Sequence, residues 1–401
     1  MISCDLILFF YNAASISRWN DYPRFVDLNE LDKQSHKFAI AFFLATYEDD
    51  IDHQKLIETG IFEFLRRVIV TDIRPDVFRE VLAEKQNEIN EWMLNKIAIY
   101  LKDQEFLRKM TRYFSDENFY KKERKLLAAA HYLATRWEFN IVYQSSMFLS
   151  DINNVKKSIE EEIANFSDFK GVVEIGLNGK LAKIIDLCGR LRFQIRWSQT
   201  PRLPKTSVLG HQLIVALFSY FYSIKINACK TRLANNFYCA LFHDLPEVMT
   251  RDIISPVKYG VGGLDHLLAS YEIKLINDEI LPLVPDKTKS WFSYILGLLN
   301  NGKNEFANRV FEEYFVRVVD DPQKYNEDRF NTIDGAALKA CDHLGAFTEA
   351  SLSISYGIRS KELENGLSLL NQYKEIGAIG GVNFADLMRD FQNMLRNEKV
   401  W

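Results

Sequence analysis

The sequence predicts an all-α protein built from two tandem helical domains. Apolar residues recur at helical spacing through most of the 401 residues, whereas the alternation that is typical of strands is scarce. The composition is that of a compact folded chain, with 47% hydrophobic and 13% aromatic residues and with few glycines and prolines. A seven-residue pattern also occurs twice, which indicates an internal duplication.

The predicted helices follow from apolar spacing along the chain. The apolar stretch at residues 1–11 has no basic residues ahead of it, so it is predicted to be a buried first helix and not a secretion signal. Residues 300–330 are polar and charged, which predicts a surface loop with a short helix over 304–319. The clearest helical patterns span residues 34–46, 62–70, 86–102, 121–144, 208–224, 234–243, 264–280, 333–356 and 383–397.

The repeated pattern is R-W-x-x-x-P-R, which stands at residues 18–24 and again 178 residues later at 196–202. Because tryptophan is rare, chance is a poor explanation of this recurrence. His36 precedes an apolar run in the first half, as His211 does in the second. We therefore predict two copies of one helical unit, with domain boundaries at 1–178 and 179–401.

The motif that carries the most chemistry is H-D-L-P-E at residues 243–247, where a His-Asp doublet follows an apolar run. An imidazole and a carboxylate in apolar surroundings are costly unless something compensates them, and a divalent metal does so. His211 and Asp342 are further candidate ligands, because each lies in an apolar helical pattern where a polar group is unusual. The candidate metal ligands are His211, His243, Asp244 and Asp342.

Two imidazole nitrogens and two carboxylates suit one divalent transition metal, Mn, Fe, Co, Ni or Zn, better than Ca or Mg. Four protein ligands leave positions for water and a substrate oxygen, which predicts a catalytic site. Glu247 follows Asp244 by three residues, so a helical turn would place it to orient or deprotonate the attacking water. Asp252 could protonate the leaving oxygen or support the ligands. The candidate substrate contacts are Arg196, Arg202 and Lys258 for phosphate and Trp197 for a sugar or base.

These motifs resemble the HD-domain metal-dependent phosphohydrolases, and within that superfamily the bacterial 5'-deoxynucleotidases. The resemblance covers residues 190–360 and rests on R-W ahead of His211, on H-D-x-x-E followed by D-I and P-V-K-Y, and on the late Asp342. It implies an all-helical fold, a divalent metal, and cleavage of deoxynucleoside monophosphates to deoxynucleoside and phosphate. The residues that it assigns are the four ligands above, Glu247 for the nucleophile, Asp252 for the leaving group, Arg196 for phosphate, and Trp197 against a 2'-hydroxyl.

The first copy resembles this family only through the repeat, and it lacks the metal ligands. Its residues at the positions of the doublet, of Glu247 and of Asp342 are Glu63-Phe64, Arg67 and His131. Phenylalanine cannot bind a metal, so the first copy is predicted to be a degenerate HD-like domain that is inactive or binds a ligand without chemistry. The two copies would form an intramolecular pseudo-dimer, and self-association of whole chains stays open.

Other functions in the same class are hydrolysis of a nucleoside triphosphate, a cyclic nucleotide or an alarmone. A different class is a nucleotide-binding sensor or interaction protein with a vestigial site. The net charge of −4 gives no reason to expect nucleic acid or a membrane as partner, and no apolar run reaches the roughly 18 residues of a membrane span. The five cysteines form no CxxC pair, which predicts free thiols and a cytoplasmic location.

Overall fold

The computed structural model describes residues 2–71, 73, 75–251, 262–300, 302–312 and 315–397. These residues are mostly helical, and their only sheets are two antiparallel pairs of short strands. The predicted all-α class is confirmed. The chain divides into two compact units, Met1–Leu177 and Asn178–Trp401. This division lies beside the predicted boundary at 178, and the interpretation of the units as tandem copies stays a prediction.

The first unit surrounds one helix, Glu30–Ala45, in which every residue is buried. The side chain of Asn29 begins this helix by accepting a hydrogen bond from the backbone N–H of Asp32. The helix packs against His53–Val70, Lys121–Ser146 and Lys170–Gly176 of the same unit. In chain order the helices are α1 Cys4–Asn12, α2 Glu30–Ala45, α3 His53–Val70, α4 Pro75–Tyr100, α5 Gln104–Ser115, α6 Lys121–Ser146, α7 Ile152–Ala164 and α8 Lys170–Gly176.

The second unit also surrounds a central helix, Val208–Lys225, which is buried from its first residue through Ser223. Ser207 begins it by accepting a hydrogen bond from the backbone N–H of Gly210. This helix packs against Lys230–Phe242 and Gly335–Ser355. The helices of the unit are α9 Lys180–Arg190, α10 Val208–Lys225, α11 Lys230–Phe242, α12 Glu247–Thr250, α13 Leu264–Leu275, α14 Asp286–Ile295, α15 Gly335–Ser355, α16 Lys361–Leu367, α17 Leu369–Ile376 and α18 Phe384–Asn397.

Helix starts differ most from the sequence predictions. Helix α2 begins at Glu30 instead of residue 34, and α3 begins at His53 instead of residue 62. In both cases the first turns are polar and a capping side chain, Asn29 or Asp52, sets the start. Apolar periodicity therefore misses these turns, since the capping hydrogen bond and not the apolar pattern fixes them.

The predicted helix over residues 304–319 is wrong. Strands Arg309–Glu312 (β3) and Phe315–Val318 (β4) pair antiparallel in this segment, with Arg309 opposite Val318. A second short pair, Leu298–Leu299 (β1) with Gly302–Lys303 (β2), precedes them. The segment is rich in β-branched and aromatic residues, which favour strands. Val310 packs in a buried cluster with Val319 and Phe330, which holds the hairpin on the unit.

The remaining predictions about the whole chain concern cysteines and membranes. All five cysteines are free thiols, as predicted. The first helix is buried, with Leu6, Ile7 and Phe10 fully covered, which agrees with its interpretation as core. Among the residues that the structure describes, no helix combines the length and the apolar character needed to cross a membrane.

Candidate metal centre

Three of the four predicted ligands form a compact group of side chains that could hold a metal ion. His211, His243 and Asp244 each offer a donor atom, and these atoms all lie within 4.8 Å of one another. His211 is in the first turn of α10, and the doublet follows directly after the last residue of α11. The two helices pack against each other, so the apolar faces that bury them also bring these side chains together.

The fourth predicted ligand, Asp342, comes from the middle of α15 and completes the group. Its Oδ1 lies 2.8 Å from Nε2 of His211 and 4.0 Å from Nε2 of His243. The Nε2 of His243 is also 3.1 Å from Oδ2 of Asp244. All four predicted donors thus meet in one place, two nitrogens facing two carboxylates.

The tautomer of His243 follows from its backbone contact. Its Nδ1 lies 2.7 Å from the carbonyl oxygen of Ala240, and a carbonyl only accepts, so Nδ1 carries the proton. Nε2 therefore faces the carboxylates of Asp244 and Asp342, where its lone pair would be available to a bound cation. Nε2 is buried and has no hydrogen bond of good geometry within the described structure. A histidine held through one nitrogen, with the other turned toward carboxylates, is the usual arrangement of a metal ligand.

The electrostatics of the pocket favour a positive charge between these donors. Burial opposes protonation of His243, but the carboxylates of Asp244 and Asp342 outweigh it and raise the pKa of His243 to about 9. Burial would raise the pKa of Asp342, but its hydrogen bond to His211 and the charges of both histidines hold that pKa below its ordinary value. The residues present therefore fit a divalent cation, because the donors are of the right kind and the field attracts positive charge.

A buried carboxylate, Glu349, lies behind His211. Its Oε1 is 3.7 Å from Nδ1 of His211 on the side away from Asp342. Gly345, one turn earlier on the same helix, leaves room for the ring, since a Cβ there would lie 3.0 Å from Cε1 of His211. The long helix α15 thus supplies a ligand candidate, a space and a supporting acid from one face.

Glu349 also binds the Arg-Trp pair of the repeated pattern. Trp197 donates from Nε1 to Glu349 at 2.8 Å, Arg196 donates from Nε at 3.3 Å, and Thr206 donates its hydroxyl at 2.6 Å. Burial would raise the pKa of Glu349, but the charges of Arg202 and Arg196 and the contact with His211 hold it well below its usual range. Sequence reasoning did not find Glu349, although an acid seven residues after Asp342 in an apolar helix was a signal that it faces the same side.

The predicted substrate contacts have the following surroundings. Arg196 is partly buried, and its Nη1 is 3.9 Å from Oδ2 of Asp244, so it borders the metal centre. The indole of Trp197 packs against Gly366, where a Cβ would lie 2.9 Å from Cη2. Arg202 is 4% exposed and donates to the carbonyl of Pro204 and to Thr206. The roles of these three residues toward a substrate stay predictions.

The predicted water-activating residue, Glu247, is the first residue of α12. Its backbone N–H donates to the carbonyl oxygen of Asp244 at 3.0 Å, so the turn that joins them is helix-like, as the three-residue spacing predicted. Gln194 donates to the carbonyl oxygen of Glu247 at 2.9 Å, which fixes the turn. Asp252 and Lys258 lie outside the described residues.

Comparisons with known proteins find similarity to HD-domain proteins in the second unit. Residues 188–371 match the sequence profile of the HD domain family. A curated 5'-deoxynucleotidase from Erwinia tasmaniensis is 26% identical over 124 residues, which are 29% of this chain and 61% of the relative. The chain thus spans about three fifths of that relative's length. A solved HD-domain phosphohydrolase from Listeria innocua shares 16% identity, with a TM-score of 0.39 over 55% of this chain and 90% of the other.

The His-Asp doublet after α11, the histidine of α10 and the late aspartate of α15 all lie inside the matched segment. The similarity to the HD domain family therefore lies in residues 188–371 of the second unit and includes all four candidate ligands.

Proposed function

We propose that the second unit is a metal-dependent phosphohydrolase whose substrates are nucleotides, most simply a 5'-nucleotidase acting on deoxynucleoside monophosphates. The observation that carries this proposal is the convergence of His211, His243, Asp244 and Asp342 in a pocket that favours positive charge. The similarity to the Erwinia 5'-deoxynucleotidase supports the choice of substrate class.

His211, His243, Asp244 and Asp342 would hold the cation. A bound divalent metal polarises a phosphoryl oxygen and lowers the pKa of water. Glu247 would accept a proton from the attacking water, and the helix-like turn between Asp244 and Glu247 supports this role. Arg196 spans Glu349 and the pocket, so its guanidinium holds phosphate from a fixed position.

Phosphate release from a panel of nucleotides tests this proposal. The full chain is loaded in turn with Mn, Co, Ni, Fe or Zn, and phosphate is measured for deoxy- and ribonucleoside monophosphates, triphosphates, cyclic nucleotides and an alarmone. The Asp244→Ala variant should lose activity, whereas Asp286→Ala, which removes a carboxylate that is 95% exposed, should keep it.

The panel also separates the alternatives. Release from triphosphates or cyclic nucleotides alone would keep the hydrolase and change the substrate. Nucleotide binding without turnover under every metal, unchanged by His243→Ala, would contradict the proposal and indicate a sensor with a vestigial site.

We also infer that the two units are diverged copies of one domain. Both tryptophans of the repeated pattern have left-handed backbone, with φ 54° at Trp19 and 58° at Trp197. The chain then returns to pair with itself in the same register, as Ser17 with Asn29 and Ile195 with Ser207. Each of these positions is offset by the same 178 residues as the sequence repeat.

The buried acid behind the Arg-Trp pair is repeated as well. Arg18 donates from Nε to Glu138 at 2.8 Å and Trp19 donates from Nε1 at 3.2 Å. Glu138 is fully buried in α6, as Glu349 is in α15. Because the pattern keeps its acid in the unit that lacks the metal ligands, this network supports the shape of the domain independently of metal chemistry.

A further inference from the structure

The register of α2 places a lysine where the second unit has its first ligand candidate. Asn29 and Ser207 begin α2 and α10 at equivalent positions, so the residue that corresponds to His211 is Lys33, and the earlier parallel with His36 is wrong by three residues. His36 instead packs edge-on against Trp137, with ring centroids 5.1 Å apart. Apolar periodicity gave the wrong register because the first turn of α2 is polar.

Lys33 makes the contact that corresponds to a ligand pair in the second unit. Its Nζ lies 2.7 Å from Nδ1 of His131. In the second unit, Nε2 of His211 lies 2.8 Å from Oδ1 of Asp342. His131 precedes Glu138 by seven residues, as Asp342 precedes Glu349, so the two pairs occupy equivalent places.

Further cations surround Lys33. Arg67, which the sequence comparison places at the position of Glu247, forms an ion pair with Glu30, with 3.2 Å between its Nε and the carboxylate. Arg18 reaches both Glu30 and Glu138 at 2.8 Å, so each of these carboxylates already binds an arginine. Lys37 follows Lys33 by one helical turn and is 2% exposed. We call Arg18, Lys33, Lys37, Arg67 and His131 the basic cluster.

The two buried lysines are not fully compensated by these carboxylates. Burial lowers the pKa of Lys37 to about 8, although Glu63 and Glu30 oppose the shift. Burial and the charge of Arg18 hold the pKa of Lys33 well below its ordinary value. A buried ammonium is costly unless an anion balances it.

The charge balance of the two pockets therefore has opposite signs. In the second unit the acids Asp244, Glu247, Asp342 and Glu349 outnumber the arginines Arg196 and Arg202. In the first unit the cations Arg18, Arg24, Lys37 and Arg67 outnumber the acids Glu30 and Glu138 even when Lys33, whose pKa is held low, is not counted, and Glu63 is paired with Arg66. This comparison covers described residues, and the equivalent Asp72 and Asp252 lie outside them in both units.

We propose that the basic cluster is a binding site for a phosphate dianion, either inorganic phosphate or the phosphate of a monoester, which binds without a metal and is not hydrolysed. Arginine and lysine donors recognise phosphate through charge-assisted hydrogen bonds. Solvent reaches the cluster, since His131 is exposed and the side chain of Arg67 is 22% exposed. This site goes beyond the proposed hydrolase, and the cluster itself does not depend on the duplication.

The test uses the full chain carrying Asp244→Ala in excess chelator, so that the metal centre of the second unit cannot contribute. Phosphate binding is measured by calorimetry and by thermal unfolding, against potassium chloride of equal ionic strength. We expect one site per chain and a rise in Tm with phosphate, because a ligand that binds the folded state stabilises it. Lys33→Met and Arg67→Gln should each weaken binding by about tenfold or more.

Lys125→Met is the matched control, since this lysine is 46% exposed in an ion pair with Asp168 and should leave binding unchanged. If Lys33→Met fails to fold, the more exposed Arg67→Gln alone decides. A deoxynucleoside monophosphate that displaces phosphate and binds more tightly identifies a nucleotide as the ligand, and phosphate alone identifies the free ion. No phosphate-dependent shift in Tm, or a shift unchanged by both variants, overturns the proposal whether or not the second unit hydrolyses nucleotides.

Discussion

The Nε1 of Trp197 donates a 2.8 Å hydrogen bond to the buried carboxylate of Glu349, and Trp19 makes the corresponding bond to Glu138. The carboxylate of Glu349 also lies 3.7 Å from Nδ1 of His211. Glu349 therefore joins the start of the domain to the candidate metal centre, and its removal should affect both the free energy of unfolding and the affinity for metal.

Replacing Glu349 by glutamine should destabilise the chain by about 3–5 kcal/mol, because it leaves Arg196 and Arg202 buried without their carboxylate. Affinity for metal should fall by about 10- to 100-fold, since His211 loses the acid that orients it. Chemical denaturation and metal titration measure the two effects. Glu362→Gln, which changes an exposed acid bonded to Thr200, is the control. A variant with normal stability would contradict this role of Glu349.

Gly345→Ala should separate ligand geometry from stability. The new Cβ would lie 3.0 Å from Cε1 and 3.3 Å from Nδ1 of His211, so the ring must shift. Alanine is better than glycine inside a helix by about 0.5–1 kcal/mol, which offsets part of the strain. We expect metal affinity to fall by about tenfold with little change in Tm. Gly176→Ala, where no atom lies within 4 Å of the new Cβ, should change neither quantity, and unchanged affinity in Gly345→Ala would show that the ring tolerates the methyl group.

The stability of the chain should depend on the protonation of Lys37. Its pKa is lowered by burial to about 8 in the folded state from an ordinary value of 10.5, so the folded state binds this proton less tightly than the unfolded state. The destabilisation is complete below pH 8 and disappears as the pH rises toward 10.5. Lys37→Met should raise the free energy of unfolding by about 1–3 kcal/mol at pH 7 in phosphate-free buffer, and this gain should shrink by pH 10.

Urea denaturation at several pH values measures this slope. Lys122→Met, at a lysine that is 63% exposed, should show no such gain. A gain from Lys37→Met that is equal at pH 7 and pH 10 would mean that charge is not its cause.

The start of α15 depends on a buried ion pair. Arg232 donates to Asp334 from Nε at 2.8 Å and from Nη2 at 2.5 Å, and Asn236 donates to the same carboxylate at 2.7 Å. Asp334→Asn should lower the free energy of unfolding by about 3–5 kcal/mol, because the guanidinium loses its counter-charge in a buried place. Asp321→Asn, at a half-exposed acid, serves as control in the same denaturation experiment. A loss below about 1 kcal/mol would contradict the prediction.

The sequence predicts the helical class and the four ligand candidates for a common reason. The apolar neighbours of a polar side chain such as His211 or Asp342 predict that it is buried, and a buried polar group needs a polar partner or a metal. Glu349 was missed because its partners, Arg196 and Trp197, are about 150 residues away and no local pattern links them. Lys33 was missed because capping sets the register of α2. The hairpin after residue 308 was missed because its charged residues indicated a surface loop, although its β-branched and aromatic residues favour strands.

The Arg-Trp-acid network has a consequence for how such a domain changes its chemistry. A tryptophan with left-handed backbone costs about 1–3 kcal/mol, and in both units a bond to a fully buried acid accompanies it. The hydrogen bonds of this network are therefore formed in both units, whether or not the neighbouring residues are candidate metal ligands. The neighbouring pocket residues can therefore be substituted while the fold is kept. Such substitution can turn an acidic pocket that suits a cation into a basic pocket that suits an anion.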